Sequence, residues 1–390
     1  MHDRDETTVG RLVRAIPPRR GVTGAVSVES APRPRHRRPT GSPTSLRVEI
    51  VPSLDDLRSD WTRLAEASGN VFATWEWAAI WWGHYGRGRP ITIAALTRPD
   101  GTVAGILPMY RFSSRPIAVG RIIGHGPADQ QGPICAPADL PEVVRSVVGA
   151  VTAARHTVLL LERLPGDLDW RAAVGGRVLA TEPSPVLALT ASTWDELLAG
   201  WSSNRRGQAR RIERRLAREH DHRYVLTSGT ESFAGDLDVL FDLHRARWGP
   251  QSAFLAAEAF HREFARTALD RGWLRLWRLE LDGRCVAAWY GLRFGGAESY
   301  YQAGRDPGWE DRAVGLALLL HTMRAALESG AVEYRFLRGD EPFKMRFASH
   351  DHGIVSIGVG HGLTGRSLVT LADLLARSPA RHLLRGAIGA

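Results

Sequence analysis

Three strand-like segments in succession, joined by two-residue turns, constrain this chain more than any other feature. WLRLWRLEL (273–281), RCVAAWYGLRF (284–294) and AESYYQAG (297–304) are separated by Asp282-Gly283 and Gly295-Gly296. Asp-Gly and Gly-Gly tolerate the positive φ of tight hairpins. The stretch predicts an antiparallel meander. It runs through RDPGWED into RAVGLALLL, which opens a helix over about 312–329. Arg312, Gly315 and Ala317 form Arg-x-x-Gly-x-Ala at that helix start, where backbone N–H groups are unpaired and the helix dipole is positive. Such a start suits an anion such as a pyrophosphate, and Gly315 lets it approach the backbone closely.

The rest of the chain reads as alternating strands and helices, so the fold class is α/β with mixed sheets. At 390 residues it holds two to three domains of roughly 100–200 residues each. Strands are expected at 47–51, 91–96, 102–112, 117–123, 158–162, 185–190, 223–228, 331–337 and 353–360. Helices are expected at 53–68, 75–85, 141–155, 202–220, 233–248 and 256–271, and the tail 366–385 reads as a basic amphipathic helix. The boundaries drawn are an arm over 1–45, an N-terminal domain over 46–190, a C-terminal domain over 191–362 and a basic tail over 363–390. A weak internal repeat supports two copies of one unit: a shift of 182 places Asp100-Gly101 on Asp282-Gly283 and Arg111-Phe112 on Arg293-Phe294.

Composition removes several classes of function. The chain has no apolar run near the 18 residues that a membrane-spanning helix needs. Its two cysteines, Cys135 and Cys285, exclude a disulfide scaffold and a four-cysteine metal site, and they fit a reducing cytoplasm. The net charge of +9 is concentrated at the ends, with the Arg-rich segment 1–45 and the tail supplying most of it. That weakens a nucleic-acid reading of the body. The Pro, Gly, Ser and Arg content of residues 1–45 predicts a disordered arm. No metal is expected: His220-Asp221-His222 and His350-Asp351-His352 lack a third ligand at helical spacing.

Against this background one residue stands out. Of 51 basic residues other than histidine, only Lys344 is lysine. Keeping lysine in a chain that otherwise uses arginine implies a need for a compact ammonium that can titrate. It could stabilise an oxyanion in acyl transfer. Glu341 is a candidate base beside it. Tyr301 is a candidate acid on the strand leading into the anion loop. Asp340, Arg205 and Arg206 are candidates for contact with the substrate. The basic helix 202–220 carries seven arginines against Glu213 and Glu219, enough to bind an anionic partner or simply to form a solvated face.

The order strand–strand–strand, then Arg-x-x-Gly-x-Ala, resembles the GNAT acyltransferases. The closer resemblance is to their CelD/BcsL-like branch, related to the peptidoglycan FemAB-type transferases. It rests on NRRGQARRIERRLAREH, on YYQAGRDP and on FLRGDEPFKMRF, whose 339–344 stretch matches the branch's Gly-Asp-Glu-x-aromatic-Lys motif. Two positions depart from the branch: Arg335 stands where an Asp is usual, and Phe343 where Tyr is commoner. The resemblance implies two tandem GNAT-like units with mixed, mostly antiparallel sheets flanked by helices. It implies a donor site at Arg312, Gly315 and Ala317 for acetyl-CoA or another acyl-CoA, and an oxyanion role for Lys344. The expected activity is N-acylation of an amine, such as an amino sugar or envelope precursor. The alternatives are a FemAB-type transferase taking aminoacyl-tRNA, and a non-enzymatic nucleic-acid-binding protein using the Arg-rich arm and helix. No specific nucleic acid is expected for the leading reading, and the basic tail suits contact with a membrane surface.

Overall fold

The fold is that of a computed structural model, which describes residues 46–153 and 157–376. The arm over 1–45 and the last fourteen residues of the expected tail lie outside the described residues.

The first half holds β1 (Arg47–Val51), α1 (Arg58–Ser68), α2 (Trp75–Tyr85), β2 (Ile91–Thr97), β3 (Val103–Ser113), β4 (Val119–Ile122) and β5 (Ile134–Cys135). It continues through α3 (Leu140–Ala153), β6 (Val158–Pro165), α4 (Trp170–Val174) and β7 (Arg177–Glu182). β8 (Pro185–Ala188) closes the first half, and the second opens with α5 (Trp194–Ala199), α6 (Ser203–Glu219), β9 (His222–Leu226), α7 (Thr230–Trp248), α8 (Ala253–Ala256) and α9 (Glu258–Asp270). The meander follows as β10 (Leu274–Leu281), β11 (Arg284–Phe294) and β12 (Ala297–Arg305). The chain then forms α10 (Val314–Glu328), β13 (Glu333–Arg335), α11 (Pro342–Phe347), β14 (His350–Asp351), β15 (Ile354–Gly360) and α12 (Gly362–Ala376).

These strands build two mixed sheets with one plan. The first runs β1-β2-β3-β4-β6-β15-β7, with β5 beside β3, and the second runs β9-β10-β11-β12-β13-β8-β14. In each, the first four strands are antiparallel. The next step is parallel, β4 to β6 and β12 to β13. A helix makes that crossover each time, α3 in the first unit and α10 in the second. The segments related by the shift of 182 are β2-β3 and β10-β11, the second and third strands of their sheets. The mixed, mostly antiparallel sheets flanked by helices agree with the fold expected from sequence.

The sheets do not respect the order of the chain. β15, from the far end, is inserted between β6 and β7 of the first sheet. β8, which precedes the second half's helices, sits between β13 and β14 of the second. Each sheet therefore takes its sixth strand from the other half. The line drawn at 190/191 divides the sequence without dividing the sheets, because hydrogen-bond partners depend on position in space.

The halves also share a core. Trp61, Trp77 and Trp81 from α1 and α2 are buried with Phe260 and Phe264 from α9 and Leu276 and Tyr290 from the meander. The Trp77 ring meets Phe260 and Phe264 edge-on, with centroids at 4.9 and 4.6 Å. Arg335, the residue in place of the branch's Asp, donates to the Gly69 carbonyl at the end of α1 across 2.6 Å, and to Glu333 across 2.9 Å. Its charge thus ties β13 of the second sheet to a helix of the first half.

Candidate active site

β12 ends at Arg305, and the chain turns sharply. Asp306 accepts the Gly308 N–H at 2.9 Å and an Arg284 N–H at 2.6 Å, which fixes the turn. A helical turn over 307–312 leads to Ala313, held left-handed at φ 53° immediately before α10. A non-glycine residue there costs on the order of 1–3 kcal/mol, so the rest of the loop must over-determine it. α10 has no side-chain cap and no acid in its first turn. Leu316 and Ala317 donate to the Ala313 carbonyl, both at 2.9 Å, which leaves the Val314 and Gly315 N–H groups for another acceptor.

The cations around this helix start come from several elements. Arg312 adjoins it, with an exposed tip and a buried Nε that has no partner. Arg305 pairs with Glu310. Arg215 of α6 donates to the Asp311 carbonyl at 3.1 Å, which brings the basic helix to the edge of the loop. The corresponding helix of the first unit is built differently. Around the start of α3, Pro137 and Pro141 lack N–H groups, and Asp139 and Glu142 place carboxylates there. Asp139 is paired with Arg98 at 2.7 Å. Of the two crossover helices, α10 is the one whose start is fitted to an anion.

A cavity of about 140 Å³ leads inward from Gly315, between α10 and the β11–β12 face. Trp289, Ala303, Gly304, Leu316 and Leu319 make it mostly apolar. It adjoins a larger, polar cavity of about 360 Å³. Arg247, Tyr300, Ala303 and Phe343 line both. Lys344, Glu341, Tyr301, Asp129, His244 and Arg338 line the second.

α11, started by Pro342, turns Lys344 and Phe347 inward. Lys344 is only 4% exposed. Its Nζ donates to the Arg338 carbonyl at 2.5 Å and lies 3.0 Å from Glu341 Oε2. A buried ammonium is tolerable only with such compensation. Gly339, at φ +128°, makes room for the pair: a Cβ there would sit 2.1 Å from Glu341 Oε2 and 2.9 Å from Lys344 Nζ. The Gly-Asp-Glu spacing of the motif thus follows from packing around the lysine.

Tyr300 and Tyr301 diverge. The β11–β12 register slips between Tyr290 and Gly291, so one extra residue bulges from β12 at this point. Tyr301 packs against Phe72, Tyr290 and His261 and donates its hydroxyl to the Pro127 carbonyl at 2.8 Å. Burial pushes that phenol well above its ordinary pKa. Tyr300 faces the other side, beside Phe343, with the Arg247 guanidinium nearby. Burial raises Tyr300 as well, and the Arg247 charge opposes the rise.

Asp129 reaches the same cavity on the loop after β4. Burial raises its pKa, against the nearby charges of Arg338, Arg163 and Lys344. Arg338 Nε lies 3.5 Å away. Burial lowers the His244 pKa below the usual histidine value, and its Nδ1 lies 3.1 Å from the Ala303 carbonyl and its Nε2 2.8 Å from Ser252 Oγ. Since the carbonyl can only accept, the proton is on Nδ1.

Of the residues singled out from sequence, the structure brings Lys344, Glu341, Tyr301 and Gly315 to the joined cavities. Arg312 lies beside them, and Ala317 is buried within α10. The three expected substrate contacts lie elsewhere. Asp340 is exposed and lines neither cavity. Arg205 lies over the Trp201 and Phe347 rings. Arg206 donates to the carbonyls of Ala199 and Trp201 at the end of α5, at 3.0 and 2.5 Å. Sequence reading missed Tyr300, Arg247, Asp129 and Arg338. Strict alternation along YYQAG would have put Tyr300 and Tyr301 on opposite faces; the other three have no local signal. Among the described residues, no three His, Cys, Asp or Glu side chains gather as a metal site requires. His220 instead pairs with Asp282, and His352 with Asp167.

Comparison with known proteins bears on this geometry. Residues 203–345 match the family model described as an acetyltransferase (GNAT) domain, a span holding α6, the meander, the α10 start and Lys344. The chain carries a GNAT-type acyltransferase domain. No curated protein sequence matches the chain. Among solved structures, FemX is similar at 12% identity with a TM-score of 0.59, covering 83% of this chain and all of that one. L-PGS from Bacillus licheniformis is similar at 13% identity with a TM-score of 0.51, covering 84% of this chain and 96% of that one. At such identities the likeness is one of fold, and it extends across both units of the chain.

Proposed function

We propose that the protein transfers an acyl group, most simply acetyl, from acyl-CoA to an amine. The observation that carries this reading is the pair of joined cavities, one ending at the uncapped start of α10 and the other at Lys344. The pyrophosphate would lie on the first-turn N–H groups of α10, beside Arg312. The narrow apolar cavity beyond Gly315 suits a pantetheine arm, and the polar cavity suits the acceptor. In the reaction the amine nitrogen bonds to the thioester carbon, the carbon–sulfur bond breaks, the amine loses a proton and the thiolate gains one. An ammonium has three N–H bonds. Lys344 spends one on the Arg338 carbonyl and is ion-paired with Glu341 at 3.0 Å, so an N–H remains for the carbonyl oxygen of a substrate. Glu341 and Asp129 are the carboxylates placed to accept the amine proton, directly or through water. Tyr300, which lines both cavities beside Arg247, is better placed than Tyr301 to protonate the leaving thiolate. The CelD/BcsL-like branch, with an amino sugar or envelope precursor as acceptor, rests on the 339–344 motif.

A second reading, with an aminoacyl-tRNA donor, is favoured by α6, whose arginines reach the donor loop through Arg215. Calorimetry with acetyl-CoA, followed by release of free thiol in the presence of amino sugars, tests the first reading. Saturable binding and amine-dependent thiol release are expected. Absence of CoA binding, with acyl transfer from charged tRNA, would install the second reading in its place.

A further inference from the structure

α12 has two unlike faces. Gly365, Val369 and Asp373 turn inward onto β7 and β15, and Arg177 reaches Asp373 across 3.1 Å. On the opposite side Leu363, Leu371 and Leu374 are 86%, 53% and 60% exposed, in line with exposed Ser367. Their spacing of four, four and three residues forms a single outward stripe. Among the described residues, α12 alone gathers three exposed leucines on one element. Charge accompanies the stripe. Arg366 is exposed, the helix's single carboxylate is buried and paired, and the sequence beyond adds Arg377, Arg381 and Arg385 with no further acid.

We propose that α12 is a docking surface for an anionic lipid bilayer, with the helix lying in the headgroup plane. Leucines on one side and arginines with no exposed acid suit that boundary: the side chains enter the acyl edge while the guanidinium groups meet lipid phosphates. Nucleic acid would satisfy the arginines and leave the leucines in water. A second copy would cover the leucines but set like charges against each other. None of the described helices is long and apolar enough to cross a membrane, so contact through α12 would be peripheral.

Sedimentation of the full chain with phosphatidylcholine vesicles, with and without phosphatidylglycerol, tests this. Binding is expected only with the anionic lipid and should fade as salt rises. Leu371→Glu/Leu374→Glu should abolish it with Tm and acetyl-CoA binding unchanged, because both side chains already face solvent. Arg366→Gln should weaken it about fivefold. Equal binding to neutral vesicles, or wild-type binding by the leucine variant, would overturn the proposal. So would RNA binding that the leucine variant retains, or a dimer in ultracentrifugation that the leucine variant dissolves.

Discussion

At the scale of single residues, Lys344 is where composition and geometry meet. In a chain that uses arginine everywhere else, it is buried, and its ammonium fits between one carbonyl and one carboxylate. A guanidinium is longer, planar and forked, so it cannot occupy the same point. We expect Lys344→Ala to lower kcat by about 10²–10³, the effect of losing one oxyanion donor, and Lys344→Arg to recover little of it. Acetyl-CoA affinity should stay near normal in both, since the α10 start is untouched. Wild-type turnover in Lys344→Arg would remove the residue from the mechanism. Glu298 offers a separate test. It is almost wholly buried near Arg275 and Arg293, each at 3.7 Å, and burial raises its pKa to about 7 in spite of them. An acid whose pKa is higher folded than unfolded stabilises the fold at low pH and loses that contribution as pH rises toward the folded value. Stability should therefore decline between about pH 4.5 and 7, by on the order of 3 kcal/mol from this group. Glu298→Gln should flatten that slope in denaturant titrations; an unchanged slope would assign it to other groups.

At the scale of elements, the contrast between α3 and α10 is what favours the proposed donor site. Both are crossover helices between parallel neighbours. One start is occupied by prolines and carboxylates, whereas the other is uncapped and surrounded by arginines. Gly315 lies in the first turn of α10, where a Cβ would come 3.3 Å from Arg305 Cδ. That is a tight contact with a flexible chain, so a side chain should be accommodated at the expense of the cavity. We expect Gly315→Val to fold and to weaken acetyl-CoA binding at least about tenfold, a loss of roughly 1.4 kcal/mol. Calorimetry on a variant with native circular dichroism checks this, and unaltered affinity would place the donor elsewhere.

At the scale of the whole molecule, the exchanged strands make each half depend on the other. Without β15 the first sheet loses the link between β6 and β7, and without β8 the second loses the link between β13 and β14. Such a gap leaves two facing strand edges unpaired and their backbone groups unsatisfied. We expect residues 46–190 and 191–376, expressed separately, each to lack a cooperative thermal transition, although 191–376 contains the whole GNAT match. A sharp melt by the second half alone would show that it tolerates loss of β8. The Asp129 loop has the same implication for chemistry, since it brings a first-half carboxylate to a cavity built mainly from the second.

The sequence by itself determined whatever depends on near neighbours. Strand-like runs and the Asp-Gly and Gly-Gly turns between them are local, and they located the meander to within a residue or two. The uncapped helix start at 314 and the isolated lysine were legible for the same reason. The short strands β5, β7 and β14 escaped notice because their partners, and so their reason to extend, lie far along the chain. The tertiary structure alone decided that β8 and β15 change sheets, that Tyr300 and not Tyr301 stands where the cavities meet, and that Arg206 is consumed by carbonyls. It also brought Asp129, Arg338 and Lys344 together around one cavity. Each of these depends on which surfaces exclude water from one another once the chain is closed, and that information has no sequence period.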